Sequence, residues 1–166
     1  MLLASGVALA AQLEGTSGPD VINGTNGADD IRGRGGDDTL SGLGGTDRVR
    51  GDGGNDTISG GPGGTSDRPE KLEGDSGNDT VSGDDGVDEI RGGLGNDEMF
   101  GGAGPDFIRA DDSGTDTVNG DSGNDVIEAH DDAGQDTINC GDGNDLVRFD
   151  AGVDVVAADC ERRDPK

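Results

Sequence analysis

Residues 33–59 read GRGGDDTLS, GLGGTDRVR and GDGGNDTIS, three nine-residue units laid end to end. Each opens with glycine, has glycine fourth, aspartate sixth and an aliphatic residue eighth. A short fixed period sets a chain's architecture, because each unit buries its apolar side only against its neighbours. Upstream, GTSGPDVIN and GTNGADDIR begin at Gly15. Downstream, GDSGNDTVS, GDDGVDEIR, GGLGNDEMF and GGAGPDFIR run from Gly74 to Arg109. ADDSGTDTVN, GDSGNDVIE, AHDDAGQDTIN, CGDGNDLVR and FDAGVDVVA then carry the pattern to Ala157, which makes fifteen units. One unit is long. Residues 60–73, GGPGGTSDRPEKLE, hold five extra residues, and their Gly and Pro content marks a surface loop. Leu72 keeps the aliphatic place there, and Glu70 stands where aspartate is due.

The first six places of a unit are rich in Gly, Asn and Asp, residues that tolerate positive φ, so they predict a tight turn. The last three form a short strand whose middle aliphatic side chain points one way and whose flanking residues point the other. Two turns and two strands close a coil of eighteen residues. The expected fold is all-β, a two-sheet parallel β-roll. Coils stacked at the interstrand spacing give a rod roughly 36 Å long.

So thin a core is a problem in this composition. Leu, Ile, Val and Phe number 30 of 166 residues, Trp and Tyr are absent, and the net charge is −25. Such a chain is disordered by default. The sixth-place aspartates, stacked every eighteen residues, would stand about 5 Å apart and repel by about 3 kcal/mol per pair at an effective dielectric near 20. The fold therefore needs cations. Carboxylate and carbonyl oxygens suit Ca²⁺ better than Mg²⁺, while zinc would prefer His and Cys, of which the chain has one and two. No EF-hand loop occurs. The acidic surface argues against nucleic acid, which needs a basic patch.

GGLGNDEMF and GGAGPDFIR fit the pattern G-G-x-G-x-D-x-U-x, where U is aliphatic. This resembles the RTX repeats, the hemolysin-type calcium-binding nonapeptides of exported bacterial proteins. The resemblance implies a β-roll with Ca²⁺ between successive turns, held by turn carbonyls and the sixth-place aspartates. Here these are Asp20, Asp29, Asp38, Asp47, Asp56, Asp79, Asp88, Asp97, Asp106, Asp116, Asp125, Asp136, Asp145 and Asp154. It also implies a secreted, extracellular bacterial protein. Departures fall at the second place, where Asp52, Asp75, Asp121, Thr16 and Thr25 replace glycine. Glu70 and its loop are expected to interrupt the ladder. The units holding Asp111 and Asp131 lack the opening glycine. The best-formed sites are expected in 33–59 and 74–109.

The repeat region spans 15–157, with a leading segment 1–14 and a tail 158–166. Residues 1–11, MLLASGVALAA, read as the end of a secretory signal peptide with an A-x-A-like Ala8-Leu9-Ala10, or as an apolar cap on the stack. They are too short to span a membrane. Cys140 and Cys160 lie twenty residues apart, close to one coil, which places them on the same edge of neighbouring coils. They are expected to form a disulfide, or else stand as free thiols at a frayed end. Two GDSG stretches, at 74–77 and 120–123, echo a serine-protease nucleophile motif, but the lone His130 lies in an insertion. Repeat chemistry explains both serines, and no enzyme activity is expected. The arginines at strand positions are read as offsetting acidic charge. The functional expectation is a monomeric calcium-binding module that folds as it takes up Ca²⁺. A calcium-dependent adhesive protein, or the repeat portion of a larger toxin or hydrolase, stands as the alternative.

Overall fold

The computed structural model describes residues 10–65, 67–110, 112–130 and 134–166. The described residues contain eighteen strands and no helix. In chain order, these begin with β1 (Gln12–Glu14), β2 (Val21–Asn23), β3 (Asp30–Arg32), β4 (Thr39–Ser41), β5 (Arg48–Gly53) and β6 (Thr57–Ser59). The middle third holds β7 (Glu70–Ser76), β8 (Thr80–Ser82), β9 (Asp88–Leu94), β10 (Glu98–Ala103), β11 (Phe107–Arg109) and β12 (Thr117–Gly123). The last third holds β13 (Val126–Ala129), β14 (Thr137–Asn139), β15 (Asp142–Gly143), β16 (Leu146–Phe149), β17 (Val155–Val156) and β18 (Arg162–Pro165).

Successive strands alternate between two parallel sheets. The first has the order β1-β3-β5-β7-β9-β11-β13-β16-β18, and the second β2-β4-β6-β8-β10-β12-β14-β17, with β15 beside β12. The register puts like places of the repeat side by side: Ile31 beside Val49, Val49 beside Leu72, Leu40 beside Ile58, Ile58 beside Val81. The eighth-place side chains thus form one file per sheet, facing each other across the roll. Ile31, Val49, Leu72, Ile90, Val81, Met99 and Ile138 are fully buried. Leu13, Ile22, Phe149 and Val156 close the ends of the files and stay partly exposed.

The roll runs past the repeat boundaries read from the sequence. Leu13 of β1 pairs with Ile31, so the stack starts before Gly15. At the other end β18 pairs with β16, so the segment after Ala157 adds a strand rather than leaving the roll. Cys140 and Cys160 are joined, their Cα atoms 5.1 Å apart, which ties that last strand to the stack. The signal-peptide reading falls on residues 1–9, outside the described residues.

Alternation also sorts the outer faces. Seventh-place residues look mixed along the chain, but the second sheet collects Thr39, Thr57, Thr80, Thr117 and Thr137, flanked by Ser41, Ser59, Ser82, Asn119 and Asn139, with Glu98 and Phe100 of β10 interrupting the rows. The first sheet collects most of the charges. Arg50 pairs with Glu73 at 2.7 Å, Lys71 with Glu89 at 2.7 Å, and Arg91 reaches Asp112 at 2.8 Å. These exposed pairs offset acidic charge and contribute little stability each.

Candidate metal ladders at the turns

Each sixth-place aspartate ends a turn just before its strand, and this puts its carboxylate under the turn. Twelve of the fourteen, from Asp29 to Asp145, are at most 4% exposed. Asp20 and Asp154, at the ends, are half-buried. Their Oδ1 atoms build two ladders, one on each edge of the roll. The main-chain N–H of one sixth-place residue donates to the carboxylate Oδ1 of its counterpart one coil later. On the second sheet's edge Asp20 donates to Asp38 (2.7 Å), Asp38 to Asp56 (2.8 Å), Asp56 to Asp79 (2.7 Å) and Asp79 to Asp97 (2.8 Å). The series continues through Asp116 and Asp136 to Asp154. On the first sheet's edge Asp29 donates to Asp47 (2.7 Å), Asp88 to Asp106 (2.9 Å), Asp106 to Asp125 (2.9 Å) and Asp125 to Asp145 (2.8 Å).

The second carboxylate oxygen is a different matter. Oδ2 of Asp38, Asp47, Asp56, Asp79, Asp88, Asp97, Asp106, Asp125 and Asp145 is buried without a hydrogen-bond partner. Leaving a buried charge unpaired is costly, so natural folds supply a partner or an ion. Except at Asp145, whose unit opens with Cys140, each such oxygen lies over the opening glycine of its own unit. A Cβ placed on Gly33 would stand 2.2 Å from Asp38 Oδ2 and 2.8 Å from the carbonyl oxygen of Gly51 in the next coil. On Gly51 it would stand 2.1 Å from Asp56 Oδ2 and 2.7 Å from the Gly74 carbonyl. The opening place is glycine because a carboxylate oxygen and a carbonyl oxygen already converge there. The donor set is hard oxygen throughout, which fits Ca²⁺. Among the described residues no three Asp, Glu, His or Cys side chains converge. A cation here would take most of its ligands from main-chain carbonyls and one or two carboxylates.

The second place sets the turn. Asp52, Asp75, Asp84 and Asp121 adopt φ between 66° and 74°, the conformation that Gly93 and Gly102 take at the same place. Aspartate tolerates that region, so these departures from the glycine pattern leave the turn intact. Leu43 adopts it too, at φ 72°, with more strain. Thr16 and Thr25 do not. Their main-chain N–H groups donate to Oδ2 of Asp20 and Asp29, each at 2.6 Å. In the last unit the Asp150 N–H donates to Asp154 Oδ2 at 2.7 Å.

Burial raises the carboxyl pKa of several members of each ladder, Asp97 and Asp145 among them, with amide hydrogen bonds and neighbouring carboxylates as lesser influences. Asp47, Asp56 and Asp125 rise to about 6, Asp79 and Asp88 to about 7, and Asp106 to about 8. Glu70 rises to about 7, through burial and then the charge of Asp47; the Asp47 amide offsets part of this without reaching hydrogen-bond geometry.

Two ladder members lie outside the aspartate list read from the sequence. Glu70 occupies the first ladder between Asp47 and Asp88 and is fully buried. Glu161 ends that ladder by accepting the Asp145 N–H at 3.0 Å. The offset from Glu70 to Leu72 equals the regular offset from aspartate to aliphatic, and that spacing marks it. Asp111 and Asp131 lie outside the described residues. The two GDSG serines, Ser76 and Ser122, sit in β7 and β12 where these strands run into the turns.

A family model for the RTX calcium-binding nonapeptide repeat matches residues 10–40, 32–64, 73–108, 111–133 and 129–156. The chain belongs to the RTX calcium-binding repeat family. Its repeats are therefore calcium-binding repeats, of a kind that is structural rather than catalytic and is typically found in exported bacterial proteins. No curated protein matches the chain in sequence. Among the described residues no helix is long and apolar enough to cross a membrane.

Proposed function

We propose that this RTX chain is an exported, non-catalytic structural module whose turns are completed by several Ca²⁺ ions, so that binding and folding are one event. The observation that carries this is the row of buried, partnerless Oδ2 atoms, most of them converging with a main-chain carbonyl of the next coil on an opening glycine. Asp38, Asp56, Asp79 and Asp97 on one edge, and Asp47, Asp106 and Asp125 on the other, would hold the ions. When bound, Ca²⁺ neutralises both ladders and bridges successive coils. Extracellular Ca²⁺ modules work at about 10⁻⁴ to 10⁻³ M, which suits folding outside the cell. Far-UV circular dichroism during a Ca²⁺ titration tests the reading, with Mg²⁺ as control. A cooperative coil-to-β transition with Ca²⁺ alone is expected. A chain fully folded in chelator, with no response to Ca²⁺, would remove the coupling.

The uncharged Thr and Ser rows of β4, β6 and β8 favour a second reading, in which the calcium-loaded roll presents that patch to a hydroxylated surface. Thr57→Lys, at its centre, is expected to abolish retention on such a surface without changing the calcium transition.

A further inference from the structure

Among the described residues the amide-to-carboxylate ladders are broken at one residue, Glu70. Its side chain accepts nothing from the Asp47 N–H, and its own N–H donates to the Val87 carbonyl at 3.1 Å instead of to Asp88. Both oxygens of Glu70 and both of Asp88 are therefore buried without a hydrogen-bond partner. Elsewhere on the ladders an amide takes one oxygen of each buried carboxylate. Glu70 and Asp88 are direct neighbours across β7 and β9, and they are 0% and 1% exposed.

Among the described residues no basic side chain pairs with either of them. Lys71 pairs with Glu89, and Arg48 and Arg50 with Glu73, on the outer face. Arg68 is exposed. Main-chain oxygens, by contrast, are close. A Cβ on Gly60 would stand 2.5 Å from Glu70 Oε2 and 2.7 Å from the Gly83 carbonyl oxygen. One on Gly63 would stand 1.9 Å from Glu70 Oε1 and 2.1 Å from the Gly45 carbonyl oxygen. The extra methylene of glutamate thus lets one carboxylate face carbonyls of the coil before and the coil after.

From this geometry we infer that Glu70 and Asp88 hold a divalent cation of the calcium class at a site of their own, completed by turn carbonyls including that of Gly83. The long unit 60–73 then interrupts the hydrogen-bonded ladder as expected, yet keeps a buried carboxylate in its register. It installs the site with the most uncommitted negative charge, and ligand charge raises Ca²⁺ affinity. This site fills before those of the regular repeats. The inference rests on the reading that Ca²⁺ completes the roll.

The experiment is equilibrium dialysis of the whole chain against graded calcium chloride, for the wild type, Glu70→Gln and Asp97→Asn. Glu70→Gln is expected to lose one ion from the tightest class, raising the concentration for first occupancy at least 10-fold. Asp97→Asn is expected to lose an ion from the weaker class and leave the tightest intact. Glu70→Gln binding as many ions as wild type with the same tight class overturns the site while leaving calcium-coupled folding standing. A wild type that binds no Ca²⁺ overturns both. If Glu70→Gln does not fold, anomalous diffraction from calcium-soaked wild-type crystals decides. A peak between Glu70 and Asp88 is expected, and peaks at the regular turns with none there overturn the site.

Discussion

The turns at the ends of the roll and those in its middle use the same buried aspartate in two ways. In the first two units and the last, a main-chain N–H from the second place caps the second carboxylate oxygen: Thr16 on Asp20, Thr25 on Asp29, Asp150 on Asp154. In the middle units the second residue is left-handed, as at Arg34, Leu43, Asp52 and Asp75, and no N–H reaches that oxygen. One backbone dihedral thus decides whether an amide caps the second carboxylate oxygen or leaves it open. The end turns satisfy that oxygen themselves, and the middle turns, in the reading proposed above, await a cation.

The largest test is removal of the carboxylate charge on either side of this divide. Asp56→Asn is expected to lose one bound Ca²⁺ and, at Ca²⁺ about 100-fold above the site's dissociation constant, to cost about 3 kcal/mol. Asp20→Asn is expected to lose no ion and to leave the calcium midpoint unchanged. Dialysis and calcium-dependent melting check both, and equal losses would erase the distinction.

Next comes pH in chelator. In the roll Asp47, Asp56, Asp79, Asp88, Asp106 and Asp125 titrate at about 6 to 8, whereas unfolded carboxyls titrate at about 4. The metal-free roll therefore binds more protons than the unfolded chain between about pH 4 and 8. Their contribution to its stability is fully present below about pH 4 and is lost as pH rises through about 8. Circular dichroism is expected to show more β-structure at pH 5 than at pH 8 without Ca²⁺, and saturating Ca²⁺ is expected to flatten that dependence.

The smallest test changes the second place itself. Leu43→Gly relieves a left-handed leucine and is expected to stabilise the calcium-loaded roll by about 1 kcal/mol. Thr25→Gly removes the hydroxyl bonds to Asp29, 3.0 and 3.2 Å long, and is expected to destabilise it by about 1 kcal/mol. Thermal melts of the two variants should move in opposite directions.

The repeat period, the eighteen-residue coil and the aliphatic files are legible in residues 33–59, because each is fixed by residue type at a constant spacing. The two outer faces are not. Consecutive units go to opposite sheets, so Thr39, Arg48 and Thr57 look like a mixture along the chain although two of them share a face. The ends of the roll are also hidden. Gln12–Glu14 and Arg162–Pro165 join by main-chain pairing, which asks for no glycine or aspartate. At the sites, the aspartate register is plain in the sequence. The choice between an amide cap and an open oxygen is not, because Asp52 and Thr25 stand at the same place and take different dihedrals. Glu70 looks like a substitution that ends the ladder, and only its burial places it inside.

The ladder bonds all point the same way, from the amide of one coil to the carboxylate of the next. The rod is consequently a directional object with unlike termini, as a filament has. Trimming a coil from the N-terminal side bares a carboxylate oxygen, which solvent serves well. Trimming from the C-terminal side strands a main-chain donor, and Glu161 with the Cys140–Cys160 bond stands where that would happen. Wear from the two ends is therefore not symmetric, and the covalent lock sits at the end with more to lose.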